Sequence, residues 1–405
     1  MQDNEKKPAL RFKGFTDPWE QRKVGTLIED YTEKTVTQNQ YPVLTSSQQQ
    51  GIVLQEDYFA DRQVTTDNNV GYYVLPKGYF TYRSRSDTDV FVFNRNNIVD
   101  KGIISYYYPV FAPKSCDSNF LLRRLNHGIK KQLSMAAEGT GQKVLAHAKF
   151  KNMVVDVPSQ SEQEKIGTIL EELDTLITLH QRKYEKLVNI KKSMLDKMFP
   201  KNGASVPEIR FKGFTDPWEQ RKLSDIVEKV TEKNAGLQYI ETFTNSAEFG
   251  IISQRDFFDH DISKIGSLDG YYVVHNEDFV YNPRISVTAP VGPINRNKLG
   301  RTGVMSPLYT VFRPHDIDTT YLEHFFKSGY WHSFMNFNGD SGARSDRFSI
   351  KDSVFFEMPI PTPDIEEQKK IGEFLTQLDT LITLHQRKLE KLQNIKKSCL
   401  EKMFV

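Results

Sequence analysis

Apolar positions along the chain follow two different spacings, and each spacing predicts one kind of element. From Ile166, and again from Ile371, apolar residues recur at alternating intervals of four and three, which is the seam of a coiled coil. No Pro or Gly interrupts either run after Gly167 or Gly372, so each run predicts a helix roughly 50 Å long. The seam residues predicted to face another helix are Leu173, Ile177, His180, Leu187, Leu378, Ile382, His385 and Leu392.

Shorter β-rich runs, separated by turn residues, fill the chain before each long helix. The predicted strands are Gly71–Leu75, Tyr79–Tyr82, Val90–Phe93, Ile103–Phe111, Tyr271–His275, Asp278–Tyr281 and Val304–Phe312. One further helix is predicted after each set of strands, at Phe120–Leu133 and at Thr320–Phe334. The pattern therefore predicts two globular domains of mixed α/β structure, joined by the long helices.

The whole arrangement occurs twice along the sequence. Arg11–Lys23 recurs unchanged as Arg210–Lys222, and Leu173–Lys183 is identical to Leu378–Lys388. We therefore predict two copies of one three-part unit, related by a pseudo-twofold internal repeat. The predicted parts are a lead segment at 1–23, a variable domain at 24–158, a helical spacer at 159–199, a second lead segment at 200–222, a second variable domain at 223–361 and a second spacer at 362–405.

The lead segments and spacers are nearly identical, whereas the two variable domains diverge. The domains keep only a skeleton of shared positions, such as Asn94–Asn96 repeated at Asn295–Asn297. The pattern indicates that the lead segments and spacers contact the same partner twice, while the two variable domains recognise two different targets. A recent duplication followed by patchy gene conversion would leave the same pattern.

Charge is segregated along the predicted helices, with acidic residues in the first half and basic residues in the second, and the bias is weaker in the second helix. The helix macrodipole favours part of this distribution. Parallel packing would place like charges side by side, whereas antiparallel packing lets each acidic half meet a basic half. We therefore predict an intramolecular antiparallel two-helix coiled coil. His180 and His385, near the middle of the seam, are either ligands or packed polar residues that fix its register.

The amino-acid composition mainly excludes classes of protein and kinds of site. The 405 residues are 38% hydrophobic and include only two cysteines, which leaves no disulfide framework and no multi-cysteine zinc site. The first residues lack the apolar core of a signal peptide, and no run approaches the ~20 apolar residues of a membrane span. We expect a soluble cytoplasmic protein in a reducing compartment. The net charge of +2 says little about partners.

Sequence signatures of catalysis are missing from the chain. It contains no Gly-x-x-x-x-Gly-Lys-Ser/Thr phosphate loop, no Gly-x-Ser-x-Gly elbow and no His-x-x-x-His pair. We expect no catalytic residues and no metal site in this chain.

Loops of the variable domains carry polar side chains suited to nucleic acid. Arg and Lys bridge guanine O6 and N7, Gln and Asn pair with adenine, and Gly-rich turns present backbone amides to phosphate. The alternative for any single residue is an ordinary solvated loop. The candidate DNA-binding residues are Arg83, Arg85, Arg95, Gln142, Lys143, Arg284, Arg296, Arg344 and Arg347.

The order of lead segment, variable domain and helix, written twice, closely resembles the specificity subunit of Type I restriction–modification systems. The resemblance covers nearly the whole chain. It rests on Pro158–Gly167 and Pro363–Gly372, which both have the form Pro-x-x-x-Glu-Gln-x-x-Ile-Gly, and on the duplicated helices that follow.

The resemblance implies that each variable domain is a target recognition domain that reads one half of a split site in double-stranded DNA. It implies that the paired helices act as a spacer and dock two methyltransferase subunits, which motor–nuclease subunits then join. S-adenosylmethionine, ATP and Mg²⁺ would belong to those partners, with no cofactor in this chain. A stand-alone DNA-binding or anti-restriction module and a coiled-coil scaffold for proteins are the alternatives.

Overall fold

The computed structural model describes residues 7–59, 68–88, 90–201, 204–258, 265–341 and 346–404. The chain divides into two compact units. Unit 1 comprises Met1–Gln181 with Arg387–Val405, and unit 2 comprises Arg182–Gln386. Each unit therefore contains one globular domain together with part of each long helix.

The first half of the chain has twelve strands and six helices within its described residues. The strands are β1 (Glu20–Lys23), β2 (Ile28–Tyr31), β3 (Leu44–Ser47), β4 (Gly51–Leu54), β5 (Tyr73–Pro76), β6 (Phe80–Tyr82), β7 (Arg85–Ser86), β8 (Phe93–Arg95), β9 (Lys101–Ile104), β10 (Val110–Pro113), β11 (Lys143–Val144) and β12 (Val154–Val157). The helices are α1 (Val24–Leu27), α2 (Gln55–Tyr58), α3 (Ser118–His127), α4 (Lys130–Ala136), α5 (His147–Lys151) and α6 (Gln160–Lys197).

The described part of the second half repeats this order with small losses. The strands are β13 (Glu219–Lys222), β14 (Val227–Lys229), β15 (Phe243–Ser246), β16 (Gly250–Ser253), β17 (Tyr272–Val274), β18 (Phe279–Tyr281), β19 (Ile294–Arg296), β20 (Gly303–Met305), β21 (Thr310–Pro314) and β22 (Pro359–Thr362). The helices are α7 (Gln254–Phe258), α8 (Thr319–Ser328), α9 (Trp331–Asn338), α10 (Asp352–Phe355) and α11 (Ile365–Lys402), with 3-10 turns at Leu223–Asp225 and Ile265–Gly270.

Each unit is built around a four-stranded antiparallel sheet. The strand order is β2-β10-β6-β8 in unit 1 and β14-β21-β18-β19 in unit 2. Smaller pairs surround it, formed by β1–β12, β3–β4, β5–β9 and β7–β11 in unit 1 and by β13–β22, β15–β16 and β17–β20 in unit 2. The predicted mixed α/β fold in two copies is thus confirmed.

Phenylalanine fills the core between sheet and helices. Phe80 and Phe111 are completely buried and stack with ring centroids 5.7 Å apart at 17°, and Phe279 and Phe312 repeat this at 5.6 Å and 17°. Because the equivalent rings keep the same geometry, the two domains share one core plan in spite of their divergent sequences.

Two predicted strands are wrong in extent because a turn interrupts them. Residues 103–111 form β9 and β10 separately, since Tyr108 donates its backbone N–H to the Ser105 carbonyl at 2.9 Å. Residues 304–312 are divided in the same way. The predicted strand Val90–Phe93 begins only at Phe93, because side chains of Ser86 and Gln48 bind the Val90 carbonyl at 3.0 and 3.4 Å. The other predicted strands agree with β5, β6, β17 and β18 to within two residues at either end.

The two shorter predicted helices are each broken into two. The predicted helix Phe120–Leu133 is α3 and α4, interrupted at Gly128, and Thr320–Phe334 is α8 and α9, interrupted at Gly329. Gly329 has φ of 79°, a left-handed conformation that ends an α-helix and that glycine adopts without strain. Apolar spacing alone does not reveal such a break.

The long helices α6 and α11 each have 38 residues, and their segments run antiparallel within each unit. In unit 1, Lys396 near the end of α11 forms an ion pair with Asp174 in the first half of α6. In unit 2, Lys191 near the end of α6 forms the equivalent pair with Asp379 of α11. The predicted meeting of acidic and basic halves is therefore confirmed within each unit.

The predicted seam residues differ in burial along the helices. Leu173 and Leu378 are buried in the two cores, and Leu187 and Leu392 pack at their margins. The remaining four, Ile177, His180, Ile382 and His385, are half-buried. Among the described residues, no cluster of His, Cys, Asp and Glu could hold a metal ion, and no helix is long and apolar enough to cross a membrane.

Candidate nucleic-acid interface

The repeated connector residues lock each globular domain onto its long helix. Arg11 donates two hydrogen bonds to the carboxylate of Glu162, at 2.7 and 2.8 Å, and Glu162 is completely buried. Arg210 and Glu367 form the same bidentate pair at the same two distances. The bond to Glu162 raises the pKa of Arg11, so this guanidinium stays charged.

The next residue of the motif ties the helix to the capping residue of α3. Gln163 accepts the backbone N–H of Asp117 at 3.0 Å and donates its amide to the Pro158 carbonyl at 2.8 Å. Asp117 in turn caps α3 by accepting the N–H of Phe120 at 2.8 Å, and Gly167 lets α6 approach this cap closely. Equivalent contacts are made in unit 2 by Gln368, Asp318, Pro363, Tyr321 and Gly372.

These contacts change the interpretation of the repeated blocks. The Arg, Glu, Gln and Gly of each block are engaged inside their own unit. Internal packing accounts for the verbatim repetition at these positions, so the repetition there does not by itself indicate a partner.

Unit 1 carries an open polar cleft of about 390 Å³ on one side of its sheet. The hairpin β3–β4, the end of α2 and the loop after β6 form its walls. Asn94 fixes the hairpin, because its amide donates to Ser46 Oγ and to the Ser47 carbonyl, both at 2.8 Å. The cleft is therefore a depression lined by hydroxyl, amide and guanidinium groups, with its hairpin wall held by Asn94.

Four of the predicted DNA-binding residues of unit 1 come together beside this cleft. Arg83 and Arg85 line it, and β7 pairs with β11 so that Ser86 lies opposite Lys143. Gln142 donates its amide to Asp87 Oδ1 at 3.0 Å, and Arg83 lies 3.8 Å from the same carboxylate. The guanidinium of Arg85 lies over the Tyr107 ring, 4.2 Å from its centroid. Two segments far apart in sequence thus form one basic ribbon.

Unit 2 repeats the arrangement with a larger cleft of about 600 Å³. Arg284 and Arg347 both line it and form a β-bridge with each other, as Arg85 and Val144 pair in unit 1. Asn282 holds the loop by accepting the Arg284 N–H at 3.0 Å. Arg344, the remaining candidate in this segment, lies outside the described residues.

Arg95 and Arg296 do not join the clefts. Arg95 is 11% exposed and donates to Ser118 Oγ at 2.9 Å and to Asn119 Oδ1 at 2.7 Å. Arg296 is 10% exposed and is paired with Glu277 at 2.9 Å and Glu323 at 2.6 Å. Both guanidinium groups fasten a sheet strand to the following helix, and burial lowers the pKa of Arg95. We therefore remove these two residues from the candidate interface.

Residues that the sequence analysis did not single out complete each cleft. Tyr58 and Phe59 line the first, and Phe257 and Phe258 line the second. A usable signal exists, because the pattern Gly-Ile-x-x-Gln-x-Asp-aromatic-Phe occurs at 51–59 and again at 250–258.

Comparison with known proteins agrees with this duplicated architecture. The family model described as the Type I restriction modification DNA specificity domain matches residues 17–189 and again 215–394. The chain is 25% identical over 279 residues to the specificity subunit of the Type I restriction enzyme MjaVIII of Methanocaldococcus jannaschii, covering 65% of this chain and 64% of the relative. It is also 25% identical over 301 residues to the putative MjaX specificity subunit of the same organism, covering 69% of this chain and 65% of that protein.

The matches thus span slightly less than two thirds of the length of these curated relatives. Among solved structures, the S subunit of a Type I restriction–modification system from M. genitalium covers 98% of this chain and 99% of its own, with a TM-score of 0.54 and 12% identity. At that identity the likeness concerns the fold alone. The two family matches together cover most of the chain, and the chain therefore belongs to the family of Type I restriction–modification DNA specificity domains, of which it contains two copies.

Proposed function

We propose that this chain is the non-catalytic DNA specificity subunit of a Type I restriction–modification complex, acting in the cytoplasm, and that each unit reads one half of a bipartite site in double-stranded DNA. The observation that carries the proposal is the cleft built twice. Its position, its hairpin and its paired arginine segment are the same in both units, while its lining side chains differ. One scaffold with two different linings is what a reader of two different half-sites requires.

The chemistry of the linings fits base recognition. Arginine presents a planar fork that bridges guanine O6 and N7, and glutamine or asparagine can pair with adenine. Unit 1 offers Arg83, Arg85 and Gln142 for such contacts, whereas unit 2 offers Arg284 and Arg347. Lys143 beside the first cleft suits a phosphate contact, which positions the protein without reading sequence.

The spacing between the half-sites is proposed to depend on the length of α6 and α11. Each helix has 38 residues, which corresponds to about 57 Å at 1.5 Å per residue. A spacer of that length corresponds to about 1.7 DNA turns, since a turn is ~34 Å. The site would then contain a gap of fixed length and arbitrary sequence.

Two methyltransferase subunits and motor–nuclease subunits are the proposed partners, and S-adenosylmethionine, ATP and Mg²⁺ would be bound by them. Support for docking on the helices comes from apolar side chains that both copies expose at equivalent positions, namely Leu176, Leu179, Leu381 and Leu384. Two half-site contacts that are weak alone gain avidity when their spacing fits both. Phosphate neutralisation is proposed to be shared with the methyltransferase subunits. The isolated chain is therefore expected to bind DNA more weakly than its complex.

The direct test is to express the chain with its methyltransferase in a host that lacks adenine modification, and to map methylated bases in native DNA. The proposal expects one split motif with N6-methyladenine in both halves. A contiguous motif would contradict the two-reader proposal. Absence of methylation by a verified complex would favour a stand-alone DNA-binding module or a protein scaffold.

A further inference from the structure

Each cleft is bordered by two adjacent aromatic side chains, here called the rim pair: Tyr58 with Phe59 in unit 1, and Phe257 with Phe258 in unit 2. The rings of the first pair are 4.9 Å apart between centroids and inclined at 86°. Those of the second are 4.6 Å apart and inclined at 83°. The two units therefore present the same edge-to-face arrangement at the same place.

The backbone fixes the orientation of each rim pair. Helix α2 begins at Gln55, whose N–H donates to the Val43 carbonyl at 2.9 Å, and α7 begins at Gln254, whose N–H donates to the Thr242 carbonyl at 2.8 Å. Both glutamines are buried, so each short helix is held against the hairpin. The aromatic residues at its end consequently point towards the cleft and the solvent.

The first ring of each pair is exposed to the same extent, since Tyr58 and Phe257 are both 42% exposed. Aromatic surface in contact with water is unfavourable, and covering it releases free energy in proportion to the area covered. Each ring borders the cavity that Arg85 or Arg284 also lines. Any ligand that the arginines hold in the cleft would meet the ring as well.

We infer that the rim pair belongs to the apolar part of the base-reading surface, and that Tyr58 and Phe257 each contact the C5-methyl group of a thymine in the half-site read by their own unit. The inference rests on the proposed DNA-reading function. In the major groove the thymine methyl is the one apolar feature that distinguishes bases, and apolar side chains recognise it. The arginines and amides of the cleft supply only polar contacts, so the rim pair adds a kind of discrimination that they lack.

The test measures binding of the assembled methyltransferase complex to duplexes that carry the mapped motif. Thymines of the motif are replaced one at a time by deoxyuridine, which lacks only the methyl group. With the unsubstituted chain, one replacement in each half is expected to weaken binding about fourfold, the value of one buried methyl group. With Tyr58→Ala, the replacement in one half should lose its effect, and with Phe257→Ala the replacement in the other half.

Phe337→Ala is the matched control, because Phe337 is 89% exposed in unit 2 and borders neither described cleft. It should leave every deoxyuridine effect in place. The slope of affinity against salt should also be unchanged in Tyr58→Ala and Phe257→Ala, since no phosphate contact is removed.

Two results would overturn the inference: deoxyuridine effects that persist in Tyr58→Ala and Phe257→Ala, or loss of complex assembly in these variants, which would assign the rim pair to a protein partner. Failure of the proposed function itself gives a different result. In that case the complex with the unsubstituted chain would not distinguish the motif duplex from a scrambled one.

Discussion

At the scale of single residues, arginine has two separate tasks in this protein. Arg85 and Arg284 border clefts, whereas Arg95 and Arg296 bind groups of the following helix. Sequence could place all four in aligned loops, but it could not show which of them would find a distant hydroxyl or carboxylate, such as that of Glu323. Only the fold decides between an internal and an external arginine.

Separate substitutions of Arg85 and Arg95 in unit 1 should distinguish these two tasks. Arg85→Ala is expected to relax base preference at one position of one half-site, by about 1–3 kcal/mol of discrimination, with stability unchanged. Arg95→Ala is expected to lower the free energy of unfolding of unit 1, because its partners Ser118 and Asn119 lose a charged donor. Motif mapping together with urea unfolding measures both effects. Equal effects of the two substitutions on base preference would contradict the assignment.

A buried histidine makes unit 2 sensitive to acid. Burial, aided by Lys327, lowers the pKa of His324 to about 3, and its Nε2 lies 3.2 Å from Thr376 Oγ1. In the unfolded chain the imidazole takes up a proton near pH 6.5, while in the folded unit it stays neutral until about pH 3. The part of the free energy of unfolding that depends on neutral His324 is therefore fully present well above pH 6.5. It is lost progressively as the pH falls from about 6.5 towards 3.

The expected loss at pH 5 is about 2 kcal/mol relative to pH 7. Urea unfolding at the two pH values, followed by tryptophan fluorescence, measures it. The His324→Gln variant cannot titrate at this position and should lose about 2 kcal/mol less between the two values. An identical pH dependence in the variant would show that His324 does not carry the effect.

At the scale of elements, apolar spacing was sufficient for the long helices and insufficient for the shorter ones. The seam and the charge segregation predicted both the existence and the antiparallel pairing of α6 and α11, because each helix carries a long regular pattern of apolar and charged positions within its own sequence. The breaks at Gly128 and Gly329 and the turns within the predicted strands depend on local hydrogen bonds instead. The clefts could not be identified from the sequence, since they combine loops far apart in the chain.

The close approach of α6 to α3 predicts unequal effects of alanine at the two motif glycines. A Cβ at Gly167 would overlap the Asp117 carboxylate and lie 2.9 Å from Asn119 Cβ, whereas at Gly372 the nearest atoms are 3.0–3.1 Å away. Alanine elsewhere in a helix would stabilise it by about 1 kcal/mol relative to glycine. Gly167→Ala is expected to lower the unfolding midpoint of its unit clearly more than Gly372→Ala does.

Thermal unfolding of the two variants beside the unsubstituted chain measures this difference. The exposed Gly14 has no heavy atom near its missing Cβ, but its φ of 98° disfavours any side chain, so it is no suitable control. Comparison between the two equivalent glycines is the control instead. A larger loss at Gly372 would contradict the packing described at the two caps.

At the scale of the whole molecule, the duplication could be predicted from the repeated blocks, and the exchange of helix segments follows from antiparallel pairing. Each unit contains the first part of one long helix and the last part of the other, so neither half of the sequence forms a unit alone. The lead segment also meets a helix end in both units, where Leu10 N–H donates to the Lys402 carbonyl at 2.8 Å and Ile209 N–H to the Lys197 carbonyl at 2.9 Å. In unit 1 this contact joins segments from opposite ends of the described chain.

Helix length is proposed to set the distance between the two half-sites. The most direct measurement removes one heptad from both helices, residues 181–187 and 386–392, and maps the methylated motif of the assembled complex. This deletion keeps the seam in register and retains the ion pairs Lys191–Asp379 and Lys396–Asp174. It shortens each helix by about 10 Å, the length of about three base pairs. We expect a motif with the same two half-sites and a shorter gap, or loss of modification by a complex that still assembles. Full methylation of the original motif with its gap unchanged would show that helix length does not set the distance between the half-sites.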